Sequence, residues 1–169
     1  MDSALVANFA EKSGPVEIQG HGEIPDGVMN TAKQTFDVRY RFANDVTMRV
    51  VSRGVRLKFE GTEGWCGNEG WRGKPNAHDP GIFGATQKSN KLWPLPHNEH
   101  RTFLDSVKSR KPATYTAEDL HRLSTTLHLG AIAMELERPL LWDPEKESFR
   151  DDNKANALRR RQARDWANL

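Results

Sequence analysis

The sequence predicts an α+β fold, in which helices pack on one face of an open, mainly antiparallel sheet. Apolar and polar residues alternate through residues 36–42 and again through 46–50, which is the period of half-buried antiparallel strands. Residues 116–142 instead carry apolar side chains three and four positions apart, the spacing of an amphipathic helix. Because such a helix is not stable without a packing partner, we expect it to lie on the apolar face of the sheet.

Length and composition limit the class of protein. The chain has 169 residues, enough for one domain with its own core, and 36% of them are hydrophobic against 28% charged. No stretch is apolar enough to span a membrane, and the N-terminal residues do not have the pattern of a secretory signal. Cys66 is the only cysteine, which excludes an internal disulfide and favours a reducing, cytoplasmic location.

The first 30 residues give few structural signals. Residues 1–13 have no clear period, which leaves open either one helical turn or an irregular terminus. Val16 and Ile18 indicate a short strand. Residues 20–30 are predicted to form a loop, because they contain four residues that interrupt regular structure: Gly20, Gly22, Pro25 and Gly27.

The strands are predicted to form one meander. Residues 43–45 make the turn between the first two strands, although they lack the glycine of the strongest hairpin turns. A third segment places Val55, Leu57 and Phe59 on one face, and Trp65 begins a fourth. The outer face of this meander is predicted to be charged, through Asp37, Arg39, Arg41 and Arg49.

A long, glycine-rich loop at residues 67–96 separates the strands from a predicted helix. This helix runs from Asn98 to about Arg110, and its inward-facing residues are Phe103, Leu104 and Val107.

The long helix is predicted to start at a capping box formed by Thr116 and Asp119, and to end before Pro139. Its apolar stripe comprises Leu120, Leu123, Leu127, Ala131 and Met134. Residues 140–142 then form a short strand. A last helix, capped by Asp151 or Asp152, runs through Arg161.

Several histidines are candidates for a functional site. His97 and His100 would share one face of a helix, with Glu99 between them, but a metal would need further ligands at a fixed spacing. Polar residues in a first helical turn are therefore the favoured interpretation. His121 and His128 are interpreted as residues at the edge of the core, because the sequence matches no carboxylate or nucleophile to them.

Large aromatic residues have two interpretations. They could form a platform on which a sugar stacks, but contacts in the core or between subunits are favoured for Tyr40, Trp65, Trp71 and Trp93. Cys66 has no base near it in the sequence, so we do not interpret it as a nucleophile.

The C-terminal region is basic. Arg159, Arg160, Arg161 and Arg164 could contact nucleic-acid phosphates, but acidic residues flank them and no aromatic residues are interleaved for base stacking. A solvated helix end or an arm between subunits is the favoured interpretation, and no nucleic-acid partner is expected.

Several segments, taken in order, are similar to one known family. The longest is HRTFLDSVKSRKP at residues 100–112, followed by HLGAIA at 128–133 and LWDPEKE at 141–147. Shorter segments are SGPVEI at 13–18 and EGTEGW at 60–65. Together they resemble the C-terminal half of Gfo/Idh/MocA oxidoreductases, in particular a planctomycete-type subgroup. The resemblance covers residues 13–169 and leaves 1–12 unmatched.

This resemblance implies a fold, and it implies that cofactor and substrate are bound by different domains. In these proteins a Rossmann domain binds NAD or NADP, and a second domain of the dihydrodipicolinate reductase-like type supplies part of a sugar or cyclitol pocket and mediates oligomerisation. The present sequence contains neither G-x-G-x-x-G nor the family's Glu-Lys-Pro and His/Asp motifs. Residues 66–69 also replace an apolar strand of the family, which leaves that strand in question.

We therefore expect residues 13–169 to form a single substrate-binding and oligomerisation domain that is inactive in hydride transfer alone. The resemblance makes His100 and Arg101 candidates for substrate contact, and it assigns no catalytic, cofactor-binding or metal-binding residue. The expected partners are a sugar or cyclitol and a second copy of the chain, bound through the sheet face. The alternative is a free-standing homo-oligomerising module without a catalytic role.

Overall fold

The computed structural model describes residues 1–10, 12–29, 32–54, 56–70, 73–86, 99–113 and 115–161. The chain divides into two compact units, a first unit of Met1–Ser52 and Glu118–Leu169 and a second unit of Arg53–Ala117. The elements in chain order are α1 Asp2–Ala7, β1 Glu17–Glu23, β2 Thr35–Arg41, β3 Thr47–Val51, β4 Arg56–Gly61, β5 Gly64–Glu69, β6 Pro75–Ala77, α2 Gly81–Thr86, α3 Glu99–Ser109, α4 Ala117–Leu136, β7 Leu140–Asp143, β8 Ser148–Phe149 and α5 Asn153–Ala157.

The first unit contains a five-stranded sheet in the order β3-β2-β1-β7-β8, with every neighbouring pair antiparallel. Strands β1 and β2 pair along their whole length, from Glu17 opposite Arg41 to Glu23 opposite Thr35. Strand β7 returns after α4 and places Leu140 beside Ile18. The predicted α+β fold with an open antiparallel sheet is therefore confirmed.

The core of the first unit lies between one face of this sheet and its helices. Alternate residues of β1 and β2 are buried, which the period-two pattern predicts for β2. Helix α4 contributes Leu129, Ile132 and Ala133 to this core, and helix α1 contributes Leu5. Of the two interpretations of the first residues, the helical one is therefore confirmed. The sheet contributes Ile18, Val38, Tyr40, Leu140, Trp142 and Phe149. The expected packing of the long helix against the sheet is confirmed.

The prediction of a loop at residues 20–30 was wrong for its first part, because β1 continues through Gly20 and Gly22 to Glu23. Both glycines face Met134 of α4. A Cβ on Gly20 would lie 3.1 Å from Met134 Cγ, and one on Gly22 would lie 2.8 Å from Met134 Sδ. The glycines therefore mark a close approach of helix to strand rather than a break in the strand.

The predicted stripe of α4 was also wrong in part. The helix buries Thr126, Leu129, Gly130, Ile132 and Ala133, whereas Leu120 and Leu127 are 54% and 51% exposed. Small residues on the buried face let the helix approach the sheet closely. Thr126 can be buried because its hydroxyl donates a hydrogen bond to the Arg122 carbonyl oxygen, 3.0 Å away.

The second unit contains a separate antiparallel sheet, β4-β5-β6. The prediction of one continuous meander was therefore wrong: β4 does not pair with β3, and Gly54 between them adopts a left-handed conformation with φ of 72°. The questioned strand at residues 66–69 is present as part of β5. Cys66 lies opposite Phe59 on one side and Ala77 on the other, so ladder pairing holds this polar segment in the sheet.

Helix α3 of the second unit matches the predicted helix, although Asn98 lies outside the described residues. Its apolar residues were predicted to face inward, which is wrong: Phe103, Leu104 and Val107 are 63%, 48% and 45% exposed. Ala77 is the one fully buried hydrophobic residue in the described part of this unit. The described residues of this unit therefore form no continuous core against α3.

The last helix of the described residues, α5, packs beside strand β8 of the first sheet. Asp152 caps α5 by accepting a hydrogen bond from the Ala155 N–H at 3.0 Å, in agreement with one of the two predicted caps. The helix ends at Ala157, earlier than predicted. None of the helices in the described part of the chain is long and apolar enough to cross a membrane.

Candidate functional site

His100 and Arg101, the two predicted substrate contacts, lie in the first turn of α3 and are exposed. The Arg101 guanidinium contacts the Asp105 carboxylate one turn later, with Nη2 3.0 Å from Oδ1 and Nε 3.2 Å from Oδ2. This ion pair fixes the direction of the Arg101 side chain along the helix. His97 and the Glu99 side chain lie outside the described residues, and contact with a substrate stays a prediction.

The described residues do not contain a group of three or more His, Cys, Asp or Glu side chains arranged to hold a metal ion. Cys66 is a half-buried free thiol on β5. These observations add no metal-binding or nucleophilic residue to His100 and Arg101.

The structure does pair His121 with a carboxylate, which the sequence interpretation missed. His121 Nε2 lies 2.6 Å from Glu147 Oε1, and Arg122 Nη1 lies 3.0 Å from the same oxygen. Arg122 also donates to the Pro144 carbonyl oxygen at 2.8 Å. Glu147 follows 26 residues after His121, in the turn between β7 and β8, so spacing along the helix could not reveal the pair.

This cluster has defined electrostatics. The hydrogen bond from His121, together with the positive charge of Arg122, lowers the pKa of Glu147 below its ordinary value. The contacts tie the β7–β8 turn to α4. His128, two helical turns further along α4, is exposed.

The outer face of the five-stranded sheet is charged, as the sequence predicts. Arg41 Nη2 lies 2.7 Å from Glu17 Oε2, and Arg49 Nε lies 2.9 Å from Asp37 Oδ1. The bond from Arg49 lowers the pKa of Asp37. Arg39 lies in the middle of this face, opposite Arg49 on one side and Gln19 on the other. Charges of both signs are thus arranged in rows on an exposed surface.

Two of the four aromatic candidates, Tyr40 and Trp65, lie in the described part of the chain. Tyr40 is buried in the core of the first unit, and burial raises the pKa of its hydroxyl well above the ordinary value. Trp65 lies on β5 with Lys58 Nζ 5.3 Å from the centroid of its ring. Trp71 and Trp93 lie outside the described residues. The interpretation of Tyr40 as a core residue is confirmed.

The basic C-terminal region is partly engaged in packing. The Arg159 guanidinium lies 5.7 Å from the centroid of the Trp142 ring, and it donates to Asn156 Oδ1 at 3.2 Å. Arg160 and Arg161 are exposed, and Arg164 lies outside the described residues. Arg159 therefore belongs to the edge of the first unit.

Comparison with known proteins decides the family. Residues 55–168 match the model of the oxidoreductase family's C-terminal alpha/beta domain, of the Gfo/Idh/MocA type. The chain belongs to this family. The matched region begins at residue 55 and contains α3 and α4, and with them His100, Arg101 and the His121–Glu147 pair.

Solved structures of longer proteins are also similar to this chain. An NAD-binding protein from Listeria innocua is 15% identical, with a TM-score of 0.60 over 83% of this chain and 44% of its own. An aldose-aldose oxidoreductase from Caulobacter crescentus, complexed with glycerol, is 14% identical, with a TM-score of 0.48 over 82% and 44%. The chain thus spans less than half the length of these proteins. No curated protein matches it.

Proposed function

We propose that this Gfo/Idh/MocA domain is the substrate-binding and oligomerisation part of an NAD(P)-dependent sugar or cyclitol dehydrogenase. The family match over residues 55–168 is the observation that carries the proposal. Its fold relative from Listeria innocua is named as an NAD-binding protein, which supports a nicotinamide cofactor in the complete reaction. The domain itself has no G-x-G-x-x-G sequence to hold the pyrophosphate, so NAD or NADP would be bound by residues outside this chain.

In this proposal His100 and Arg101 recognise substrate hydroxyl groups at the start of α3. The imidazole can donate one hydrogen bond and accept another, and the guanidinium donates several in fixed directions. Asp105 orients the guanidinium through the ion pair described above. The hydride acceptor and the base that removes the hydroxyl proton would come from outside the chain, so these two residues bind and orient the substrate.

A titration with NADH and with NADPH tests whether the cofactor site lies outside this chain. The five tryptophans provide a fluorescence signal for any cofactor that binds near one of them. We expect no saturable change up to millimolar cofactor. Saturation in the micromolar range would contradict the proposal, because the chain would then contain a complete cofactor site.

A second titration tests the substrate contact directly. Addition of myo-inositol or glucose should shift the NMR resonance of the His100 Cε1–H and leave that of His78 unchanged. His78 is a matched reference, because it lies in the same unit and its Nδ1 accepts a hydrogen bond from the Trp65 N–H at 3.3 Å. Equal shifts of both histidines, or none at His100, would remove His100 from the site.

Oligomerisation is proposed to use the charged outer face of the sheet. Rows of opposite charge can meet their equivalents on a second copy, because a two-fold axis brings one surface against itself. Arg39 lies at the centre of this face, so Arg39→Glu should convert the oligomer to monomers in sedimentation experiments. Arg150→Glu changes the same charge in the turn after β8 and should leave the oligomer intact.

One observation favours a second candidate, the free-standing interaction module. Helix α3 exposes Phe103, Leu104 and Val107 on one side, which is the pattern of a helix that docks on a partner. If self-association through α3 were the main role, Phe103→Ser would abolish the oligomer and Arg39→Glu would not. The reverse result supports the sheet face.

A further inference from the structure

A groove of about 560 Å³ lies beside α4 in the first unit. Its floor is apolar and consists of Leu129, Ile132 and Trp142, which are all buried. Its volume falls within the range of small-molecule sites, and such sites combine an apolar lining with a few polar groups. The groove lies among residues of one unit, so its shape does not depend on how the two units are arranged.

One wall of the groove is a row of polar side chains on α4. His121, Thr125 and His128 are four and three residues apart, so they lie above one another on one side of the helix. His121 is held in place by its bond to Glu147, which itself borders the groove. The row offers two imidazoles and a hydroxyl to a ligand.

The opposite wall is basic. It includes Arg159 and Arg161, which follow α5. This wall is fixed by Asn156, whose side chain accepts a hydrogen bond from the Phe149 N–H at 2.9 Å and donates one to the Phe149 carbonyl oxygen at 2.8 Å. The two arginines are therefore presented by a segment that is anchored to the sheet.

The charges in the groove favour an anion. Glu147 is already engaged by Arg122 and His121, and Glu135 is the one other carboxylate among the described residues that line the groove. Arg159 lies near the Trp142 ring and donates to an amide oxygen, and its positive charge contributes to the lowered pKa of Glu147 without a hydrogen bond to that carboxylate. Its N–H groups are therefore not taken up by a carboxylate. Within the described residues Arg161 also has no ion pair. The groove thus offers two arginines to a ligand.

We propose that this groove binds a small organic phosphate, with the phosphate at the arginines and the organic part over the apolar floor. A phosphate has several acceptor oxygens and a charge near −2, so it can accept from a guanidinium on one wall and from an imidazole or hydroxyl on the other. The site is separate from His100 and Arg101, and the proposal does not depend on the proposed dehydrogenase function.

Benzyl phosphate is a suitable probe, and benzyl alcohol is its uncharged counterpart. Titration of the full chain should shift the Cε1–H resonances of His121 and His128 in NMR spectra, while His78 serves as the reference. Isothermal titration calorimetry should give saturable binding of benzyl phosphate. The alcohol should bind at least about tenfold more weakly, because it offers the arginines no negative charge.

Two variants assign the binding to the walls. Arg161→Gln should weaken benzyl phosphate binding roughly five- to tenfold through loss of a charge-assisted hydrogen bond. His128→Gln tests the α4 wall and should weaken benzyl phosphate binding less than Arg161→Gln does. Arg53→Gln removes an exposed arginine that does not line the groove, and it should leave the affinity unchanged.

The proposal is overturned if the histidine resonances do not move at millimolar benzyl phosphate. It is also overturned if Arg53→Gln weakens binding as much as Arg161→Gln, since that would show unspecific attraction to a positive protein. Equal binding of benzyl alcohol would overturn it as well, because the groove would then bind the apolar part of the ligand and not the phosphate. Each of these results is independent of whether NADH, a sugar or a second copy of the chain binds elsewhere.

Discussion

The hydroxyl of Tyr40, on β2, occupies the space where a Cβ atom at position 130 of α4 would lie. Gly130 is therefore required by packing, in the middle of a 20-residue helix where glycine is otherwise unfavourable. The missing side chain lets the tyrosine ring extend under the helix. This contact helps to set the distance between α4 and the sheet.

We predict that Gly130→Ala destabilises the protein by about 1–3 kcal/mol, the usual cost of overpacking a core. On helix propensity alone the same change would stabilise by roughly 1 kcal/mol, so the sign of the effect is informative. The free energy of unfolding, measured with urea, tests this. A stabilised variant would show that Tyr40 can move aside without cost.

Removal of the hydroxyl should rescue the glycine replacement. We expect Tyr40→Phe to make room for the new Cβ, so the double variant with Gly130→Ala should be more stable than the sum of the two single changes predicts. Ser124→Ala is the control, because it adds no atoms against the sheet at an exposed position of the same helix. A coupling energy near zero would mean that another group limits space at position 130.

Asn156 should be a second sensitive position. Its amide makes two hydrogen bonds with the Phe149 backbone, and it is the link that fixes α5 to β8. Asn156→Ala should cost about 1–3 kcal/mol, because a partly buried N–H and carbonyl lose their partners together. Thermal unfolding provides the measurement. Asn153→Ala, at the exposed first residue of the same helix, should change the midpoint little.

Alternation of apolar and polar residues along a strand predicted the strands correctly, whereas the sequence did not show which distant strands pair with each other. Alternation predicted β2 and β3, because one face of β2 is buried and one face of β3 is half-buried. The separate sheet in the second unit was missed, since no local pattern states which strand β4 pairs with. The glycines of β1 resemble loop residues in sequence, and only the position of Met134 explains them.

The candidate site shows the same limit. His100 and Arg101 were found through resemblance, and the ion pair with Asp105 follows from the four-residue spacing on a helix. Glu147 was missed because its partner His121 is distant in sequence, and the contact depends on the turn after β7. The acidic residues in that turn were a visible signal, but nothing in the sequence connected them with α4.

Asp152 should make stability depend on pH at the acidic end. Its hydrogen bond from Arg138, 2.6 Å away, and the Ala155 N–H lower its pKa below the ordinary 3.8. A carboxylate with a depressed pKa stabilises the folded state above the pKa of the unfolded chain, and this contribution is lost as the pH falls through the folded-state pKa. Its loss should therefore begin below about pH 4.

Melting curves of the wild type and Asp152→Asn from pH 7 to pH 3 would measure this contribution. We expect the variant to melt roughly 2–4 °C lower at neutral pH, with a difference that is constant above pH 5 and shrinks below pH 4. Asp151→Asn is the control at the neighbouring exposed position. A difference that does not change with pH would mean that the charge of Asp152 is not what stabilises the fold.

Leu127 and Leu129 distinguish the stripe that the sequence predicts from the face that the structure buries. They are two residues apart on α4, yet Leu127 is 51% exposed and Leu129 is 2% exposed. Leu129→Ala should cost about 2–5 kcal/mol through lost contacts and a cavity, whereas Leu127→Ala should change the free energy of unfolding by no more than about 0.5 kcal/mol. Helix propensity changes equally in both, so the difference reports burial alone. A larger cost at Leu127 would mean that α4 is rotated, with its sequence-predicted stripe against the sheet.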